Sequence, residues 1–283
     1  MKIDTRITEM DMKILKKQEE VGSDVSSTQL GEMLGIPGRT VRYRLNRLKD
    51  LDILHPPTVH THERRLGLGE CTILLQTKPN KDATIQKILD EIPSFYWNAP
   101  TYGQYEGIVS YCLYPLSNPR MIPELAEVMK HNQLIDRYYF IDIVDYHREA
   151  VDIFSLSSEN SWTWEKWGKE AKRILEEGEE IDLDFDMSPQ VMSFDQKDVQ
   201  ILKMKVKDAN ITLKEIGDAL NLSQPQVHNR LKNLEQSGTI RGYKPHLRPF
   251  DSMTMIGIFL RSADRINSIL LALHKLPLFH DIA

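Results

Sequence analysis

The chain carries two copies of one pattern, 186–187 residues apart, and that repeat restricts its fold more than any other feature. Asp11-Met12-Lys13-Ile14-Leu15 corresponds to Asp198-Val199-Gln200-Ile201-Leu202. The segment 30–36 (LGEMLGI) corresponds to 216–222 (IGDALNL). Val41-x-x-Arg44-Leu45-x-x-Leu48 corresponds to Val227-x-x-Arg230-Leu231-x-x-Leu234. Blocks repeated in one order define a tandem of two related units.

Each unit opens with the pattern of three short helices. Thr8 suits an N-cap, and Met10, Ile14 and Leu15 have helical spacing. Ser26 or Ser27 caps a second helix with Leu30, Met33 and Leu34 on its apolar face. Gly35 stands where a tight turn needs positive φ, and Asn221, which also tolerates that region, takes its place in the second unit. A third helix begins near Pro37 or Ser223, its buried stripe being Val41, Leu45 and Leu48 or Val227, Leu231 and Leu234. Helix, short turn, helix is the helix-turn-helix pattern. Ile53-Leu54 and Thr239-Ile240 start strands, and a β-wing after each would place Arg64-Arg65, or Arg241 and Lys244, beside the third helix.

Between these units the pattern changes. Residues 71–77, 94–105, 108–114 and 135–146 read as strands, and 83–92 and 121–130 as amphipathic helices. The order βαββαβ predicts a ferredoxin-like sheet with helices on one face. Its other face and edges are open, so pairing with a second copy, a homodimer, is expected. Tyr138, Tyr139 and Phe140 are assigned to core or dimer packing. Trp162, Trp164 and Trp167 begin a further helix, followed at 176–186 by seven acids and no base. That run reads as a solvated spacer, with mimicry of phosphate as the sharper alternative. Residues 255–260, 266–276 and 278 onward suggest a second, incomplete βαβ, with two alternatives: another chain completes it, or the last segment is partly disordered.

The expected class is therefore α+β. Its parts are a winged helix-turn-helix at 1–66, a ferredoxin-like domain at 67–150 and a tryptophan-containing acidic linker at 151–192. A second winged helix-turn-helix follows at 193–250 and the partial βαβ at 251–283. The apolar runs, six residues at most, fall far short of the roughly 20 that span a bilayer. The N-terminus lacks a secretory pattern, and two cysteines without C-x-x-C fit a reduced cytoplasm. The overall charge is −5, yet residues 36–65 and 222–248 each carry a local +4, which reads as two basic patches on an acidic body.

This order of parts resembles the Lrp/AsnC (feast/famine) transcriptional regulators. The opening signature of that family is nearly intact in residues 194–202 (FDQKDVQIL) and weaker in 7–15 (ITEMDMKIL), and its Val-x-x-Arg-Leu-x-x-Leu helix occurs in both units. The resemblance implies DNA binding by the helical heads and a ligand or assembly role for the sheet. The family's effector loop reads Gly-Asp-Tyr-Asp, where this chain has Gly103-Gln104-Tyr105-Glu106. Loss of the first acid departs from the amino-acid effector pattern. Two heads in one chain are a further departure.

Reading base edges in the major groove needs long donors and amides on a helix that the groove accepts. The first unit offers Arg39, Thr40, Arg42, Tyr43, Asn46 and Arg47, with Arg64 and Arg65 in its wing. The second offers Gln224, Gln226, His228, Asn229 and Lys232, with Arg241 and Lys244. The arginine-rich set favours guanine and phosphate, and the amide-rich set favours adenine. Arg44 and Arg230, beside the buried stripe, are candidates for an ion pair with the first helix or for a phosphate contact.

The chain lacks G-x-x-x-x-G-K-[ST], G-x-G-x-x-G and H-E-x-x-H, so no catalytic residue, metal or cofactor is assigned. His55, His60 and His62 read as polar wing residues able to reach phosphate rather than as metal ligands. A competing reading is a sirohaem decarboxylase-like tandem enzyme, which needs a basic, histidine-bearing pocket near the sheet, where His131 and His147 lie. A helix-turn-helix module that binds protein is the other alternative.

Overall fold

The computed structural model describes residues 6–148, 163–183, 185–247, 257–260, 264–276 and 281–282. The first unit is α1 (Glu9–Val21), α2 (Ser27–Leu34) and α3 (Gly38–Asp50). The second is α7 (Gln196–Lys207), α8 (Leu213–Leu220) and α9 (Gln224–Gln236). Capping boxes at Thr8/Asp11, Ser26/Gln29, Asp195/Asp198, Thr212/Glu215 and Ser223/Gln226 satisfy amides left open at these helix starts. Gly35 (φ +66°) and Asn221 (φ +53°) end α2 and α8 in the left-handed region, as the repeat predicts. A Cβ at Gly31 or at Gly217 would stand 2.5 Å from the carbonyl oxygen of Ile36 or Leu222. Both second helices thus need glycine where the turn folds back.

Between the units lies an antiparallel sheet in the order β3-β4-β2-β5, built from β2 (Leu68–Thr77), β3 (Phe95–Thr101), β4 (Gly107–Pro115) and β5 (Ile135–Ile143). Helices α4 (Asp82–Asp90) and α5 (Met121–His131) cover one face. Period-2 alternation sends Cys71, Ile73, Leu75, Ile108, Cys112 and Tyr114 into that core, where they meet Ile85, Leu89, Ile122 and Met129. Tyr138 and Phe140 join the core, and Tyr139 instead meets the Tyr105 ring edge-on at 5.1 Å.

The wings differ from expectation. Among the described residues, neither unit pairs its strand within itself. β1 (Leu54–Thr61) pairs antiparallel with β7 (Ile240–Leu247), making one two-stranded ribbon shared by both units. The exchange is reciprocal. Leu54, at the start of β1, stays in its own core with Leu15 and Leu48, whereas Val59, further along, is buried in the second core with Ile201, Val227 and Leu231. In return the Tyr243 carbonyl of β7 accepts from the Ser23 amide at 2.7 Å, just beyond α1. A short 3₁₀ turn, Glu63–Leu66, then leads from β1 to the sheet.

The tryptophan segment forms α6 (Trp164–Glu177), which lies on α10 (Ile266–His274) through buried Ala171, Ile174 and Ala272. The Trp167 indole donates to the Ala272 carbonyl at 2.8 Å. Trp162 lies outside the described residues. The helix of the expected C-terminal βαβ is present, but residues 257–260 are not in a strand. The last strand, β8 (Asp281–Ile282), pairs with β6 (His147–Arg148) at the exit of the sheet domain. Residues 255–256 and 278–280 lie outside the described residues.

Candidate nucleic-acid interface

The third helices present a fixed inner face and a variable outer one. Val41, Leu48, Val227, Leu231 and Leu234 are buried. Arg44 is tied to α1, donating to Asp11 Oδ1 at 2.9 Å and to the Thr8 hydroxyl at 2.8 Å. Arg230 repeats this on α7 with Asp198 (2.7 Å) and Asp195 (2.8 Å). Burial pushes the Asp11 carboxyl up, but hydrogen bonds from Thr8 and Arg44 outweigh it and hold the group below the usual carboxylate range. Of the two readings given for these arginines, the ion pair is the one observed.

Outward stand Arg39, Arg42, Tyr43 and Asn46 on α3, and Gln224, Gln226, His228, Asn229 and Lys232 on α9, all exposed. Thr40 is half-buried. Arg39, Arg42 and Lys232 enter no ion pair among the described residues, so their charge is available to an external anion. Gln226 accepts from the Ser223 amide at 2.8 Å through its carbonyl oxygen, leaving its NH₂ group to turn elsewhere. Gln226 and Asn229 also line a cleft of about 480 Å³ between α9 and the segment 192–194 that enters α7.

Five expected contact residues are bound within the chain instead. Arg47 donates to Asp11 Oδ2 (3.1 Å) and to the Arg6 carbonyl (2.5 Å). Arg64 holds Asp142 (2.5 Å) and the Ile143 carbonyl. Arg65 holds Asp186 and the Ser237 carbonyl, each at 2.8 Å. Arg241 binds Asp145 and the Tyr146 carbonyl and lies over the Tyr146 ring. Lys244 donates to the Glu19 carbonyl at 2.5 Å. Arg47 is drawn onto α1 within its own unit, and the other four share one reason. The shared ribbon turns the wings inward to the seam between units and sheet, where a partly desolvated cation is costly unless fully hydrogen-bonded.

This seam was not legible from motifs. Asp145 accepts from Arg241 and from the Asp186 backbone amide, and Tyr146 lies 3.4 Å from His60 Nδ1. His62 is buried, its Nε2 3.8 Å from Asp186. Asp186 ends the acidic run, so one of its acids pairs with a wing arginine, whereas Glu177 and Glu179 pair with Arg173 on α6.

The loop Gly103-Gln104-Tyr105-Glu106 joins β3 to β4. Gly103 has φ +94°, the Tyr105 carbonyl accepts from Thr101, and the Gln104 carbonyl accepts from Gln76 at 3.4 Å. Tyr105 is held edge-on between Tyr139 and Phe259, and Gln104 and Glu106 are exposed. His131 is exposed in the last turn of α5, next to Lys130. Among the described residues, no group of three or more His, Cys, Asp or Glu could hold a metal ion, and no helix is long and apolar enough to cross a membrane.

Residues 194–241 match the family model described as winged helix-turn-helix, DNA-binding. The matched segment covers α7, α8, α9 and the start of β7, which defines the second unit as a winged helix-turn-helix. The chain is similar to Lrp-type transcriptional regulators. It is 40% identical over 52 residues to the HTH-type transcriptional regulator LrpB of Bacillus subtilis, covering 18% of this chain and 35% of that protein. It is 34% identical over 71 residues to LrpA of Pyrococcus horikoshii, covering 24% of this chain and 50% of that one. The matched segments thus span between a third and a half of these relatives. Among solved structures, Escherichia coli AsnC is similar at 18% identity and TM-score 0.38, over 49% of this chain and 92% of that one. The siroheme decarboxylase NirDL is similar at 16% identity and TM-score 0.46, over 83% of this chain and 65% of that one.

Proposed function

We propose that the protein is a sequence-specific, double-stranded DNA-binding transcription regulator of Lrp/AsnC type that docks α3 and α9 in the major groove. One observation carries this reading. On both third helices the inner side chains are fixed by core and ion pair, and the outer ones, exposed except for half-buried Thr40, meet no anion among the described residues. α3 offers Arg39, Thr40, Arg42, Tyr43 and Asn46; α9 offers Gln224, Gln226, His228, Asn229 and Lys232. Arg47, Arg64, Arg65, Arg241 and Lys244 serve instead to fix the frame that aims these helices. The sheet domain is assigned to assembly as a homodimer, with Gly103, Gln104, Tyr105 and Glu106 as its candidate effector loop. Such a protein works in the cytoplasm, without a catalytic cofactor.

Arg39, Arg42, Lys49 and Lys232 are the cations that the two helices bring against the duplex, so roughly four condensed counterions are released. Affinity should then fall on the order of 10²-fold between 50 and 200 mM salt. The test is fluorescence anisotropy of a labelled duplex across that range, with wild type and an Arg39→Ala, Arg42→Ala variant. The variant should lose affinity and up to about two units of the log–log salt slope. An unchanged slope and affinity would overturn the assignment of α3.

A further inference from the structure

The ribbon fixes a symmetry that the sequence repeat alone does not. Near its middle, Thr58 pairs with Lys244, and Lys244 stands 186 residues after Thr58, the spacing that relates α2 and α3 to α8 and α9. At this one pair a position of the first unit faces its equivalent in the second. An antiparallel pair in which a position meets its own repeat mate has a local two-fold axis there. β1 reaches α7 of the second unit and β7 reaches the end of α1 of the first, as the same axis requires.

That axis relates matched scaffolds with unmatched outer faces. At the same spacing, Val41, Arg44, Leu45 and Leu48 meet Val227, Arg230, Leu231 and Leu234. The exposed positions all differ: Arg39 against Pro225, Arg42 against His228, Tyr43 against Asn229, Asn46 against Lys232. The inward residues keep the heads in equivalent poses, and the outward ones give each head its own chemistry.

We infer that one chain reads one inverted pair of unlike half-sites, α3 taking a guanine-containing half through Arg39 and Arg42 and α9 an adenine-containing half through Asn229 and its amide neighbours. This inference rests on the DNA-binding reading above. A two-fold scaffold matches the local dyad of duplex DNA, so the half-sites run in opposite directions. Bidentate arginine selects guanine, and asparagine or glutamine selects adenine. Exchanging the base in either half should lower affinity roughly tenfold per base pair.

The test is selection from a random duplex pool with the full chain, as wild type and as a variant whose α9 carries the outer side chains of α3: Pro225→Arg, His228→Arg, Asn229→Tyr and Lys232→Asn. Wild type should enrich inverted, unlike half-sites. The variant should enrich inverted, like half-sites. A direct repeat, a lone half-site or two like half-sites from wild type would overturn the inference and leave DNA reading intact. Failure of wild type to enrich any sequence would sink the DNA reading itself. Arg42→Ala gives a readout independent of how the fourfold variant folds: it should relax selection in one half of the wild-type site, and relaxation in both halves would overturn the assignment.

Discussion

Arg44 on α3 donates to Asp11 on α1 across 2.9 Å, and the Asp11 side chain is wholly shielded from solvent. Arg47 reaches the second carboxylate oxygen, so a single acid orients two guanidinium groups of the third helix. Replacing Asp11 by Asn leaves both cations without their anion, and the first unit should lose about 3 kcal/mol, read from urea denaturation at neutral pH. Asp11 titrates below its unfolded value near 3.9, so its contribution is present above about pH 4 and lost as pH falls through the folded value. The difference between wild type and Asp11→Asn should narrow in acid.

Matched arginines on one helix should part company when mutated. Arg42 is exposed, and Arg44 is held on α1. Arg42→Ala should leave the denaturation midpoint nearly unchanged and reduce affinity for a selected duplex by about 1–3 kcal/mol. Arg44→Ala should lower the midpoint first. Equal effects of both variants on both measurements would contradict this division.

Val59 belongs to the first unit by sequence and to the second by burial, being 8% exposed beside Ile201 and Val227. Val59→Ala should destabilise α7–α9 by roughly 1–2 kcal/mol through lost apolar burial and the space left behind. Hydrogen exchange should speed up in α7 and α9 rather than in α2.

His62 sits at the seam, 5% exposed, with Asp145, Asp186, Arg65 and Arg241 around it. Burial, and next the Arg241 charge, hold its imidazole below the usual range, so it is neutral at pH 7. The unfolded chain binds that proton more readily, near pH 6.5. Stability is therefore full above that pH and declines as pH falls through it. Thermal unfolding between pH 7 and 5 should show a decline for wild type and a flatter profile for His62→Gln.

Local order was written in the chain. The repeat, the caps Thr8 and Ser26, the left-handed Gly35 and Asn221, the βαββαβ order and the buried stripes of α3 and α9 all follow from short-range spacing, because helix periodicity and turn stereochemistry act within a few residues. The outer donors of α3 and α9 were legible for the same reason: a residue opposite a buried stripe faces solvent.

Strand partnership was decided only in three dimensions. β1 carries no mark that its partner is β7 rather than a strand of its own unit, because backbone hydrogen bonds are nearly indifferent to side-chain identity. Once the ribbon formed between units, Arg64, Arg65, Arg241 and Lys244 were carried to a seam where Asp142, Asp145, Asp186 and the Glu19 carbonyl await them. A basic residue in sequence is only a charge. Whether that charge meets a distant carboxylate or remains for an outside anion depends on which surfaces the tertiary structure brings within a few ångströms.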